Sequence, residues 1–110
     1  MAKKTSVTEL STHLKEPFVH LELAGVNDHA AYVIRCEGDY PFHSHTKDEL
    51  YYVVEGELVI RYKNAPTETL HPGDCITVPA FVTHSPSSTA GALVLMVKPK
   101  DMFHHLHENG

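Results

Sequence analysis

From Phe18 onward the chain is written in short apolar runs broken by turn residues, the pattern of half-buried strands. FVHLELA predicts a first strand closed by the turn GVND. In HAAYVIRCE, Tyr32, Ile34 and Cys36 share one face, while Arg35 and Glu37 share the other. A turn over Glu37–Asp39 and Pro41 leads into a histidine-bearing strand and then ELYYVV. Glu55-Gly56 predicts a tight turn into ELVIRYK, where Leu58, Ile60 and Tyr62 point inward. After Asn64-Ala65-Pro66, TETL, the turn HPGD, CITVP, a segment through His84 and ALVLMVK complete the series. ALVLMVK is apolar on both faces and is expected between layers or at a subunit contact. About nine short strands spaced by turns predict an all-β sandwich or barrel.

The ends break this pattern. Over residues 6–16, Ser6 and Glu9 fit a capping box, and Val7, Leu10 and Leu14 share a helical face that Pro17 terminates. This short helix is expected to brace the outside of the domain. A final helical turn is expected over residues 99–107. The organisation is therefore an N-terminal helical extension (1–17), a β-barrel (18–100) and a His-rich C-terminal tail (101–110).

With 110 residues the chain makes one domain, burying roughly two-thirds of its unfolded surface. A formal net charge of -5, with only nine Lys and Arg, lacks the basic footprint of a nucleic-acid binder. No apolar run approaches the length of a membrane span. The start MAKKTSVTEL is basic without an apolar core, so no secretory signal is expected. Cys36 and Cys75 make no disulfide framework, which favours two reduced thiols in a cytoplasmic protein.

The ten histidines are the unusual feature. His13, His20, His29 and His71 stand alone and are expected to be surface or hydrogen-bonded residues. His104, His105 and His107 cluster in a tail too irregular to define a geometry, and are expected to capture metal only adventitiously. His43 and His45 lie at i and i+2, so on a strand they share a face, and Glu49 follows four residues later. Two imidazoles and a carboxylate suit a divalent transition metal.

In G-D-Y-P-F-H-S-H-T-K-D-E-L-Y-Y-V-V-E-G, Gly38, His43, His45, Glu49 and Gly56 follow the pattern G-x5-H-x-H-x3,4-E-x6-G. In GDCITVPAFVTH, Gly73, Pro79 and His84 follow G-x5-P-x-G-x2-H-x3-N. In these two motifs, and over residues from about 30 to 98, the chain resembles the cupin superfamily. Three positions depart: Gly38 is one residue closer to His43, Phe81 stands at the second glycine of the second motif, and Ser88 at its asparagine. The resemblance implies a small jelly-roll barrel, a double-stranded β-helix, with one metal ion held by His43, His45, Glu49 and His84.

Three imidazoles and one carboxylate leave an open coordination face, which suits catalysis more than structure. Fe, Mn, Ni, Zn, Co and Cu all accept such donors. Strand parity places Tyr51 and Val53 with Glu49, so the pocket is expected to be lined by Tyr32, Ile34, Cys36, Tyr51 and Val53. Phe42 should face away. No inward Arg or Lys is expected, which disfavours a phosphosugar and favours an uncharged substrate or one anchored by an oxygen pair. Tyr51 is the only candidate acid or base besides the metal. The leading expectation is a metal-dependent, dioxygenase-like enzyme acting on a small organic molecule. The alternatives are a non-enzymatic ligand- or metal-binding cupin and a sugar isomerase or epimerase. Residues 1–16 are too short for a DNA-binding helix-turn-helix, and a homodimer is expected.

Overall fold

The computed structural model describes residues 2–102 and the backbone of 106–107. Among them lie one short helix and nine strands: α1 (Val7–Ser11), β1 (Leu21–Val26), β2 (His29–Asp39), β3 (His43–Ser44), β4 (Glu49–Gly56), β5 (Leu58–Tyr62), β6 (Glu68–Leu70), β7 (Cys75–Val78), β8 (His84–Pro99) and β9 (Leu106–His107). All strand pairs are antiparallel. The fold is the expected all-β jelly roll with an N-terminal helix.

β8 is the hub. The two separate strands expected around His84 and ALVLMVK are one strand of 16 residues. Its C-terminal half lies between β2 and β4, with Ile34 opposite Val94 and Val53 opposite the same residue. Its N-terminal half pairs with β5, Tyr62 opposite His84, and with β3, His43 opposite His84. One strand thereby serves both layers. Ala92, Val94 and Met96 point into the core formed with Ile34, Cys36, Tyr51, Val53, Leu58 and Ile60. Leu93, Leu95 and Val97 take the other face and are half-buried.

Glu55-Gly56 is a corner, not a hairpin turn. β4 and β5 do not pair with each other; each pairs with a different half of β8. Gly56 makes the corner with φ 81°, and a Cβ there would lie 2.3 Å from the Gly91 carbonyl oxygen. Only glycine meets both demands. Ser88, at the asparagine position, ties the same corner: its Oγ donates to the Glu57 carbonyl at 2.7 Å and accepts from Gly91 N–H at 3.1 Å.

Three expectations are corrected. The helix is capped as predicted, Glu9 N–H donating to Ser6 Oγ at 3.2 Å, but it stops at Ser11. The Ser11 and Thr12 hydroxyls take the carbonyls of Thr8 and Glu9, and the following N–H groups make tighter three-residue turns. The first strand begins at Leu21, not Phe18, because Phe18 adopts φ 64° and donates its N–H to Arg35 outside any ladder. At the C-terminal end a turn at Lys100–Asp101 is followed by strand β9 at Leu106–His107, in place of a helical turn; β9 pairs with β3. Residues 103–105 and the side chain of His107 lie outside the described residues, and with them the expected His104, His105 and His107 cluster. No helix among the described residues is long and apolar enough to cross a membrane.

Candidate metal centre

Strand pairing brings the distant His84 to the histidine pair. His43 on β3 lies directly opposite His84 at the start of β8. His45 follows the end of β3, and Glu49 opens β4. The two loops carrying these residues are stitched together: Phe81 N–H donates to the His45 carbonyl at 2.7 Å, and Ala80 N–H to Asp48 Oδ1 at 2.8 Å. Phe81, at the motif's glycine position, holds φ 66°, the left-handed backbone that glycine would adopt without strain.

His43, His45, Glu49 and His84 are all buried, and each offers one ligand atom within 4.8 Å of the others. His43 Nδ1 lies 2.9 Å from the Pro41 carbonyl, and His84 Nδ1 2.8 Å from the Val82 carbonyl. A carbonyl only accepts, so in both rings Nδ1 carries a hydrogen and Nε2 is the nitrogen turned to the cage. His84 Nε2 then faces Glu49 Oε1 at 2.9 Å. A proton on His84 Nε2 makes that contact a hydrogen bond, and a cation bound between the two atoms would take the proton's place. Glu49 Oε2 accepts no hydrogen bond among the described residues and lies 3.3 Å from His45 Nε2. The donor set therefore fits a divalent cation.

The charge states agree. Burial pushes His43 down to about 3, overcoming the opposing pull of the Pro41 hydrogen bond. Burial alone would raise the Glu49 carboxyl, but the hydrogen bond with His84 and the charges of His45, His84 and Lys98 outweigh it and hold it at about 2. Near neutral pH the cage is an ionised carboxylate beside a neutral His43, the forms that ligate metals. Tyr51 donates its hydroxyl to Glu49 Oε1 at 2.9 Å and lies 3.3 Å from His84 Nε2. Burial, then the Glu49 charge, raise its pKa well above the ordinary tyrosine value, so the hydroxyl stays protonated.

A cleft opens over the cage. It offers about 20 Å³ to the centre of a water-sized body within about 290 Å³ of atom-free space that includes its open mouth. Of the five expected lining residues, Ile34 and Tyr51 lie on it. Tyr32, Cys36 and Val53 are buried elsewhere: Val53 and Cys36 pack in the core, and Tyr32 meets His20 edge-on at 5.7 Å. Burial raises the Cys36 thiol to about 12, so it is inert packing. Phe42 faces away, under the Arg61 guanidinium at 5.3 Å.

The expectation of no inward cation is wrong. Lys98 is 1% exposed and lines the cleft, its Nζ donating to His20 Nε2 at 2.8 Å. Burial lowers its pKa, opposed by the Glu49 charge. Its signal was parity: Lys98 continues the inward series Ala92, Val94, Met96, and reading ALVLMVK as apolar on both faces hid it. His20, expected to be a lone histidine, also lines the cleft. It sits in irregular backbone between Phe18 and β1, where periodicity carries no information.

A jelly roll with three histidines and a glutamate clustered at its inner face defines the class. The chain belongs to the cupin family: the family model "Cupin domain" matches residues 32–98. It is 31% identical over 101 residues to the uncharacterized protein YdbB of Bacillus subtilis, covering 91% of this chain and 89% of that one. It is 34% identical over 58 residues to dimethylsulfoniopropionate lyase DddQ of Ruegeria pomeroyi, a match spanning 51% of this chain and 29% of the lyase. The crystal structure of DddQ superposes with a TM-score of 0.68 at 26% identity, covering 80% of this chain and 49% of that one. A cupin-2 domain protein of Shewanella frigidimarina superposes with a TM-score of 0.82 at 23% identity, covering 86% and 93% of the two chains, and so shares the fold.

Proposed function

We propose that this cupin is a metal-dependent enzyme acting on a small organic substrate, with His43, His45, Glu49 and His84 holding one divalent transition metal ion. The observation that carries the reading is the buried cage of four ligand atoms within 4.8 Å, open on one side to a narrow cleft. When bound, such an ion supplies Lewis acidity and, if redox-active, access to dioxygen chemistry. Fe, Mn, Ni, Zn, Co and Cu remain the candidates.

The chain's own residues supply the rest. The Pro41 and Val82 carbonyls orient His43 and His84. Phe18, Ile34, Met96 and Pro86 shed water from the cleft. Tyr51 keeps its proton and presents it beside Glu49, where it can donate to a developing oxyanion. A dioxygenase-like reaction on an aromatic or dicarbonyl compound is the first reading, since the cleft is largely apolar. A proton-transfer reaction such as an elimination is the second, favoured by the Tyr51 hydroxyl within the cage and by the partial match to a lyase. The cleft's narrowness argues against a sugar substrate.

Elemental analysis of untagged protein tests the cage. Metal should be present in wild type and fall sharply in His84→Ala and Glu49→Ala; unchanged content in both variants refutes the site. Oxygen uptake by loaded protein across a panel of aromatic and dicarbonyl compounds, against turnover without oxygen, separates the two chemistries.

We also propose a homodimer in the cytoplasm. Leu93, Leu95 and Val97, with half-exposed Tyr52, form an apolar outer sheet face suited to a second copy. Cys36 and Cys75 are free thiols, as a reducing compartment favours. A monomeric mass by light scattering contradicts the dimer.

A further inference from the structure

The rim of the cleft is made by Phe18, His20 and Tyr40, which keep some exposure while the rest of the lining is buried. Tyr40 and His20 are tied to β8. Tyr40 donates its N–H to the Pro86 carbonyl at 3.0 Å, and its own carbonyl accepts from the Ser85 hydroxyl. His20 Nε2 accepts from Lys98 Nζ at 2.8 Å. Phe18 is held differently. It stands outside the strands with φ 64°, an outlier for so bulky a side chain. Such strain lasts only where the surroundings fix it. Here the Phe18 N–H donates to the Arg35 carbonyl at 2.8 Å, and the ring packs on the core and on Tyr40, with centroids 5.1 Å apart. Tyr40 in turn meets the candidate ligand His43 edge-on at 5.0 Å. A wall of rings therefore runs from the rim to the cage. The space it leaves, about 20 Å³ for the centre of a water-sized body, is little more than the ~10–15 Å³ that one water needs.

We infer that Phe18 is a specificity-determining residue. Its ring is a size filter at the rim that restricts the site to short aliphatic substrates, which reach the cage with an oxygen pair, and shuts out a phenyl substituent. The inference rests on the metal-dependent reading above and narrows it, keeping the short dicarbonyl compounds and removing the aromatic ones. A glycine at position 18 would hold the left-handed backbone without strain and take the ring away, so it opens the rim while leaving the path of the segment in place.

The test is calorimetric titration of Mn(II)-loaded wild type, Phe18→Gly and Phe18→Tyr with acetohydroxamate and benzohydroxamate, alongside manganese content. The two probes offer the ion the same oxygen pair and differ as methyl against phenyl. One methylene too many in a closed apolar pocket is worth about 10–200-fold, so wild type should prefer acetohydroxamate by about tenfold or more. Phe18→Gly should erase that ratio with manganese content unchanged, and Phe18→Tyr should retain it. Equal binding of the two probes by wild type, or a preference that survives in Phe18→Gly, overturns the inference. Should Phe18→Gly fail to fold, Phe18→Asn, which also tolerates the left-handed backbone, carries the same comparison. Acetone and acetophenone, titrated into chelator-stripped protein and followed by the methyl signals of Ile34 and Met96, probe the rim without the ion. Acetone should move those signals in wild type and in Phe18→Gly, and acetophenone only in Phe18→Gly. If wild type takes up no manganese yet this contrast appears, the metal reading falls and the filter stands. If manganese binds and neither contrast appears, the filter falls and the metal reading stands.

Discussion

Tyr51 and Glu49 show how one hydroxyl can stabilise the fold in one state of the site and serve it in another. Tyr51 is fully buried, and its hydroxyl donates to the ionised Glu49 at 2.9 Å. Without metal, that hydrogen bond is one of few things offsetting a buried charge. Tyr51→Phe should therefore cost the stripped protein about 1–3 kcal/mol, the range for losing a partner of a buried charged group. An ion in the cage would take over that compensation, so the cost should shrink in loaded protein while metal content stays near wild type. Urea denaturation of both forms checks this; an equal penalty in the two would contradict it. Lys98 makes a parallel point. Nothing in its local composition distinguishes it from a surface lysine, and only its place in the alternation of β8 turns it inward.

The elements are held in place by corners and loop ties. Gly56 and Gly38 share nearly the same backbone, φ 81° and 82°, yet they should respond differently to alanine. At Gly38 a Cβ meets nothing within 4 Å, so only left-handed strain counts, about 1 kcal/mol. At Gly56 the Cβ would lie 2.3 Å from the Gly91 carbonyl oxygen, and the backbone of two strands must shift. Gly56→Ala should cost at least about 2–3 kcal/mol more than Gly38→Ala, read as a fall in denaturation midpoint at unchanged slope. Similar costs would mean that the corner relaxes freely. Both glycines were visible in the first motif with His43, His45 and Glu49, because strand parity and turn residues are local and leave their mark in spacing, whereas His84 came from the second motif through the family resemblance. The sheet switch at Gly56, the fusion of two expected strands into β8 and the early end of α1 were not legible. These depend on which strand finds which partner, or on hydroxyls competing for carbonyls, and neither leaves a period in the chain. The lining failed for the same reason. Tyr32, Ile34 and Cys36 do share a buried face, but the cleft reaches only Ile34 of the three.

The whole molecule carries the cost of the cage as sensitivity to acid. In the unfolded chain His43 takes a proton near its ordinary 6.5, whereas in the folded protein burial delays this to about 3. Between those values the unfolded chain holds the extra proton, so stability falls as pH drops through that window. Glu49 acts in the same direction. Its folded value is about 2 against an ordinary 4.5, so its contribution is present above 4.5 and is lost as pH falls towards 2. Metal-free protein should therefore lose thermal stability progressively from about pH 6.5 downward, steepening below 4.5, where both groups contribute. Removing His43 separates the two: His43→Leu should flatten the stability profile between 6.5 and 4.5 and leave the steeper fall below it. Loaded protein should depart from this curve by more than a constant offset, since protons and metal compete for the same lone pairs and the ion is released as they fill. A melting temperature of the metal-free protein that stays level from pH 7 to 4 would contradict the assignment of His43 as a buried neutral ligand.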